Sequence, residues 1–446
     1  MSWAGHFRAT LVLGIPLVGS QIGLMLMNTT DTVMLGWYGI EELAASVLAS
    51  QAYFIVMIFG AGFSQAVMPM AAQAAGEDDS RGVRRSVRMG LWVSLLYCLF
   101  AMPLLWRTET ILLAFGQDPG VAALAGQYMQ IAMWALPPTL LGHALRAFLS
   151  AIERAQIIFV TTLVAAALNV GINWALIFGN WGAPEMGIQG AAIATLLVNL
   201  VMFAAMAVYA AHQKDAAHYE LFVRFWRPDW PAFFDVLRLG LPISITILAE
   251  VGMFTASSLI MGWIGVVPLA AHGIAMQISA IAFMVPLGMA QAATVRVGRA
   301  YGRRDPVGVS RAAAATSVLC AGFALAGALL MWTMPELLIG LFLDKSEVGG
   351  VDVAVYAVPL LLVAAAFQLV DSAQVVGAGL LRGMKDTAIP MVIAIASYWL
   401  AGLPLAYVLG IPAGLGGIGV WTGLAAGLAL AAFAMNFRFL MLRPRL

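Results

Sequence analysis

Four long stretches of the chain carry no Asp, Glu, Lys or Arg: Leu43–Gly76, Ala155–Pro184, Val251–Val295 and Thr387–Phe437. Their apolar residues run continuously, without the strict alternation of a half-buried strand. A membrane-spanning helix needs about 20 apolar residues, so the two longest stretches each hold more than one span. A barrel strand needs only about ten residues, in alternation, so a β-barrel is excluded. Hydropathy, charge and proline together predict twelve helices with cores near 9–30, 47–72, 88–106, 121–146, 157–178, 188–211, 236–260, 270–295, 312–334, 353–380, 388–409 and 417–441. The first is read as a retained span and not as a cleaved signal, because Arg8 is its single basic residue and no small-x-small site follows.

Basic residues orient these spans. With both termini on the cytoplasmic side, 21 of the 23 Lys and Arg fall in inside loops and ends, and only Arg107 and Lys345 fall outside. The cytoplasmic set includes Arg81, Arg84, Arg85, Arg88, Arg146, Arg154, Arg296, Arg299, Arg382 and Lys385. So one-sided a distribution satisfies the positive-inside rule for a multi-pass protein of the cell inner membrane. Composition agrees with this reading: 62% of residues are hydrophobic, 10% are charged and mean hydropathy is +0.92, against ~25% charged in a soluble domain. A net charge of +1 gives no reason to expect a nucleic-acid partner.

The two halves repeat at an offset of 226 residues. Gly14-Ile15-Pro16 matches Gly240-Leu241-Pro242, Gly36-Trp37 matches Gly262-Trp263, and Gln51 matches Gln277. Gly62 matches Gly288, and Asp79 matches Asp305. Further on, Gly187-Ile188-Gln189-Gly190 is echoed by Gly416-Gly417-Ile418-Gly419. Six spans per copy is an even number, so both copies enter the membrane in the same direction. The expected fold is therefore all-α, with twelve transmembrane helices in two six-helix bundles related by a parallel internal repeat around a central cleft. Residues 1–212 and 235–446 are assigned to the bundles, and 213–234 to a cytoplasmic linker.

Asp31, Glu250 and Asp371 lie in, or at the ends of, apolar spans. An ionised carboxylate at a helix centre costs at least ~2.5–3.5 kcal/mol on insertion scales, so such residues mark ion or substrate sites by default. Glu250 has no basic residue in its own span, which leaves a proton, an inorganic cation or a cationic ligand as its partner. Gln368 and Gln374 flank Asp371 within one turn. Together Glu250 and Asp371 could hold Na⁺, or mutual repulsion could prepare one of them to carry a proton. Asn28 precedes Asp31, and Asn169 and Asn173, four apart, share one helix face. Gln277 completes the auxiliary polar set. The acids are not repeat-equivalent, since Glu250 aligns with Leu24 and Asp31 with Ser257. No H-E-x-x-H, P-loop or Gly-x-Ser-x-Gly is present, so neither ATP-driven transport nor hydrolase chemistry is expected, and no cofactor.

The run Phe367-Gln368-Leu369-Val370-Asp371-Ser372-Ala373-Gln374-Val375-Val376, with Gly379-Leu380-Leu381-Arg382-Gly383-Met384-Lys385-Asp386-Thr387 after it, resembles the tenth span and following loop of the multidrug and toxic compound extrusion (MATE) family. Asp31-Thr32-Val33-Met34, Glu250 and Gly298-Arg299-Ala300-Tyr301-Gly302 are similar to it as well, the nearest branch being the bacterial NorM-like group. The resemblance implies a V-shaped pair of bundles acting as a monomer. It implies export of cationic or amphipathic organic compounds in exchange for inward Na⁺ or H⁺. Glu250 and Asp371 would form the second-lobe cation site, and Asp31 the first-lobe protonation site with Asn169 and Asn173 nearby. A flippase for a lipid-linked precursor is the alternative, but it would want a cationic cleft, whereas the charges within these spans are acidic.

Overall fold

The computed structural model describes residues 2–343 and 349–443, so Lys345 and Arg445 lie outside the described residues. Among the described residues every regular element is a helix. In chain order these are α1 (Trp3–Tyr38), α2 (Ile40–Gly76), α3 (Ser80–Trp106), α4 (Thr108–Ala114), α5 (Pro119–Ala132), α6 (Leu136–Ala151), α7 (Ala155–Phe178), α8 (Gly187–His212) and α9 (Lys214–Ala217). The second half continues with α10 (Trp230–Ile264), α11 (Val266–Gly302), α12 (Pro306–Thr333), α13 (Pro335–Gly340), α14 (Gly350–Gly383), α15 (Ala388–Ile395), α16 (Leu403–Gly410) and α17 (Gly416–Leu442).

Eleven segments among the described residues are long and apolar enough to cross a membrane. The remaining expected span, 121–146, is present but divided. Leu136-Pro137-Pro138 lacks two backbone donors, and one 3₁₀ turn, Met133–Ala135, joins α5 to α6 there. The eleventh span bends differently: α15 passes into α16 through a π-helical stretch, Ala396–Gly402. Several helices overrun their apolar cores. For that reason Arg146, expected in a loop, is buried inside α6, where it donates to Ser20 and to Gln21 Oε1.

The chain forms two compact units, Gly19–Ser244 and Met1–Val18 together with Ile245–Leu446. Each has its own apolar core. In the first unit α2 packs on α3 and α6, α3 on α6, α6 on α8, and α7 on α8. In the second unit the corresponding pairs recur: α11 on α12 and α14, α12 on α14, α14 on α17, and α16 on α17.

Local details repeat too. Asp78 and Arg304, 226 apart, both adopt positive φ, at 56° and 54°. Asp79 and Asp305 then cap α3 and α12 by accepting backbone N–H bonds. The helix crossings are built alike. A Cβ on Gly62 would lie 2.6 Å from the Ser244 backbone nitrogen, and one on Gly288 would lie 2.6 Å from that of Val18. Gly240 likewise meets the Phe63 backbone, whereas Gly14 at the equivalent place meets the Met289 side chain. Backbone-to-backbone approach of this kind needs glycine on the crossing face. Polar bonds hold each crossing: Ser244 Oγ donates to Phe59 O at 2.6 Å in the first unit, and Arg296 bonds His6 O and Thr10 in the second.

The segment expected as a linker is strapped down. Arg84 pairs with Glu220 at 2.6 Å, Arg154 with Asp215 at 2.6 Å, and Arg85 with Asp229. Arg88 and Trp92 bond the Arg224 and Phe225 carbonyls.

Gly62→Val and Gly288→Val should each lower stability by about 1–3 kcal/mol through overpacking, read as a drop in the thermal midpoint of purified protein; an unchanged midpoint would contradict the crossing geometry. The Arg85 guanidinium holds the Asp229 carboxyl below the usual carboxylate range. A depressed carboxylate stabilises the fold above its unfolded pKa of about 3.9 and loses that contribution as pH falls through the lower folded value. Asp229→Asn should thus be less stable than wild type at pH 7 by under ~1 kcal/mol, the pair being partly exposed. The gap should narrow progressively as pH falls below about 4, and a gap unchanged down to the lowest pH at which both proteins stay folded would rule out the ion pair as its source.

Candidate functional site

Each unit carries an intramembrane acid, and the two environments differ. In the first unit Asp31 sits near the C-terminal end of α1. Asn169 and Asn173, one turn apart on α7, both donate from Nδ2 to its Oδ1, at 2.9 and 2.5 Å. Thr195 Oγ1 of α8 stands 3.4 Å from its Oδ2. The buried Tyr128 of α5 lies within the carboxylate's field. Amides and hydroxyls therefore serve Asp31 where a soluble protein would supply a basic side chain. The amide Oδ1 atoms of Asn169 and Asn173 are buried and have no hydrogen-bond partner. A carboxylate beside two free carbonyl oxygens can accept a proton and share it, or receive a cation. Asn28 is exposed and is not one of Asp31's partners; its backbone carbonyl accepts from Thr32.

The second unit holds Glu250 on α10 and Asp371 on α14, within each other's electrostatic reach. Asp371 is 3% exposed and Gln368 and Gln374 are 1% exposed. Asp371 Oδ1, Ser372 Oγ, Gln374 Oε1, both polar atoms of Gln368 and the Tyr398 hydroxyl are all buried without a hydrogen-bond partner. The Tyr398 hydroxyl lies within the electrostatic reach of both acids. An unsatisfied buried polar group costs about 1–3 kcal/mol, so this concentration of oxygens is suited to a guest that satisfies several at once. Carboxylate, amide and hydroxyl oxygens are donors for a hard cation, and two neighbouring carboxyls can equally share a proton.

The expectation of no basic residue in Glu250's own span does not hold, because α10 begins at Trp230 and includes Arg238. Arg382, at the C-terminal end of α14, acts on Glu250 electrostatically. Sequence distance hid this pair, because Arg382 reads as a loop residue until α14 is seen to run to Gly383. Gln277 is exposed on α11.

What places Glu250 is a contact no pattern announces. In the π-helical stretch Trp399 Nε1 donates to the Ala249 carbonyl at 3.0 Å, one residue before the acid. Gly252 admits that ring, since a Cβ there would fall 2.8 Å from the indole. Beyond it, Trp421 Nε1 donates to His272 Nδ1 at 3.1 Å, and His272 Nε2 stands 3.1 Å from Ser258 Oγ. An indole N–H only donates, so His272 is neutral with its hydrogen on Nε2. Phe367, next to Gln368, packs edge-on against Trp421 and Phe254. These contacts tie α10, α11, α14 and α17 together around the acids. Trp399→Phe keeps the ring but orphans the Ala249 carbonyl, so it should cost about 1 kcal/mol in thermal stability, whereas no loss would remove Trp399 as the anchor of the Glu250 turn.

The family described as MatE matches residues 16–175 and 242–408, two segments that begin 226 residues apart. A relative named probable multidrug resistance protein NorM from Rhizobium meliloti is 53% identical over 444 residues, covering 100% of this chain and 95% of the relative. The protein of the same name from Pseudomonas aeruginosa is 40% identical over 97% of this chain and 89% of its own length. Among solved structures, a MATE in the straight conformation matches with a TM-score of 0.89 at 21% identity, over 99% of this chain and 96% of that one. The eukaryotic MATE transporter AtDTX14 matches with a TM-score of 0.86 at 18% identity, over 99% of both chains.

Proposed function

We propose secondary active efflux of small organic compounds for this chain, which belongs to the MatE family. The observation that carries the reading is the Glu250–Asp371 pair, two acids in mutual reach among buried oxygens that have no other partner. The multidrug resistance names of relatives up to 53% identical support the substrate class. The twelve-helix fold shared with MATE structures supports transport over enzymatic turnover.

In this reading the coupling ion, Na⁺ or H⁺, is taken up at Glu250 and Asp371, and Asp31 with Asn169 and Asn173 forms a second protonatable site. Substrates are cationic or amphipathic, a reading supported by the Glu250–Asp371 pair and its unpartnered polar surroundings. Ion binding and substrate binding favour opposite-facing states, so each expels the other by linkage, and the coupling is reciprocal. The protein sits in the inner membrane with both termini cytoplasmic, as the basic loops indicate, and works as a monomer.

Efflux of a fluorescent cationic dye from proteoliposomes tests this reading. An imposed Na⁺ gradient or an imposed pH gradient should accelerate wild-type efflux, and the one that does identifies the ion. Glu250→Gln and Asp371→Asn should insert and fold as wild type does, yet lose gradient-driven efflux by at least about tenfold. Full transport by both variants would contradict the assignment.

A further inference from the structure

Between α10 and α11 the second unit has a cavity of about 290 Å³, lined by Val251, Phe254 and Ser258 of the one and His272, Gly273 and Met276 of the other, among others. We propose that this cavity seats the planar aromatic ring of an amphipathic cation whose charged end is held at Glu250 and Asp371, an assignment that rests on the efflux reading above. Thr255 completes a stripe on α10 at helical spacing, and Leu269 completes the matching stripe on α11. Glu250 stands four residues before Phe254, which puts their Cβ atoms about 6 Å apart on neighbouring turns. Asp371 stands four residues after Phe367, and Phe254 packs edge-on against Phe367 with ring centroids 6.0 Å apart. The two helices thus present a pair of acids and, one turn along, a pair of aromatic rings. The cavity lies on the free side of the aromatic pair, against Phe254.

The lining sets the class of guest. Among the described residues, those around the cavity carry no charge, because Trp421 Nε1 donates to His272 Nδ1 and holds the imidazole neutral. Their side-chain polar hydrogens are committed. Thr255 Oγ1 donates to the Val251 carbonyl at 3.0 Å, Ser258 Oγ to the Phe254 carbonyl at 3.2 Å, and His272 Nε2 to Ser258 Oγ at 3.1 Å. An anion would find no donor here. Hydroxyl oxygens, the Phe254 ring and the Met276 sulfur instead suit the positive edge of an electron-poor ring. His272 is buried at the floor, while Thr255, Leu269 and Gly273 are exposed at the mouth. Pockets that hold a whole drug-sized ligand run to roughly 300–1,000 Å³, so 290 Å³ takes a ring system and leaves the rest of the molecule outside. The charged end then has the acids one turn away to pair with. A lipid chain would use the apolar wall and gain nothing from the acids.

Equilibrium binding to the full chain purified in detergent separates ring from charge, with N-methylquinolinium as the ring-bearing cation and tetraethylammonium as the cation without a ring. Gly273 is the position to change. A Cβ there would meet nothing within 4 Å, so a larger side chain enters the cavity without displacing a neighbour. Gly273→Leu should weaken N-methylquinolinium binding at least about tenfold and leave tetraethylammonium binding unchanged. Gly273→Ala, which adds one methyl group, should fall between wild type and Gly273→Leu. Glu250→Gln should weaken both cations, because it acts on charge. Two results would overturn the ring site and spare the efflux reading: unchanged N-methylquinolinium affinity in Gly273→Leu, or equal weakening of both cations by it. Loss of co-purified phospholipid alongside the first result would place a lipid chain in the cavity instead. A Glu250→Gln protein that binds both cations as wild type does would count against the efflux reading and overturn the ring site with it.

Discussion

A carboxyl group carried into hydrocarbon must find its partner inside the protein, because no water is there to solvate it. This chain meets that constraint in two ways. Asp31 is surrounded by short-range donors, with two amides and a hydroxyl drawn from α7 and α8. Glu250 and Asp371 instead lie within each other's electrostatic reach, and polar atoms of Gln368, Asp371, Ser372, Gln374 and Tyr398 are buried without a hydrogen-bond partner. The first arrangement gives the carboxyl group fixed donors, while the second leaves several buried polar atoms without a partner. The aromatic and imidazole contacts of the second unit make sense in that light: Trp399, Trp421 and His272 fix four helices in place so that the polar cluster need not do so.

Duplication supplied the frame for both sites. The positive-φ turns at Asp78 and Arg304, the caps at Asp79 and Asp305, and the glycine crossings at Gly62 and Gly288 all recur at one offset. The acids do not follow it. Where Asp31 stands in the first unit, Ser257 stands in the second, buried and bonded to the Phe254 carbonyl. Backbone geometry was held constant while side chains inside it diverged, the course expected when packing at crossings tolerates little change and a polar position tolerates much.

The pattern of charge and apolar length was enough to place the spans, the repeat and all three acids, since each rests on a large, local transfer energy. Asn169 and Asn173 were legible for a related reason: a four-residue spacing puts both amides on one face. Other features depend on tertiary approach. Nothing in the chain near Thr195 or Tyr398 marks them as neighbours of an acid, and the π-helical turn that delivers Trp399 to Ala249 has no compositional signature. The break at Leu136-Pro137-Pro138 was visible as a proline pair but not as an interruption of an otherwise continuous span. Gln277, which repeats Gln51, and Asn28 are both exposed, so polarity within an apolar run does not by itself identify a side chain that serves an acid.

In the proposed exchange, ion and substrate compete through the acids of the second unit. Equilibrium binding of a cationic dye to purified protein, titrated against Na⁺ and against pH, measures that competition without any gradient. The dissociation constant should rise as one of the two ions is added and should lose this dependence in Glu250→Gln. A dissociation constant indifferent to both Na⁺ and pH in the wild-type protein would contradict it.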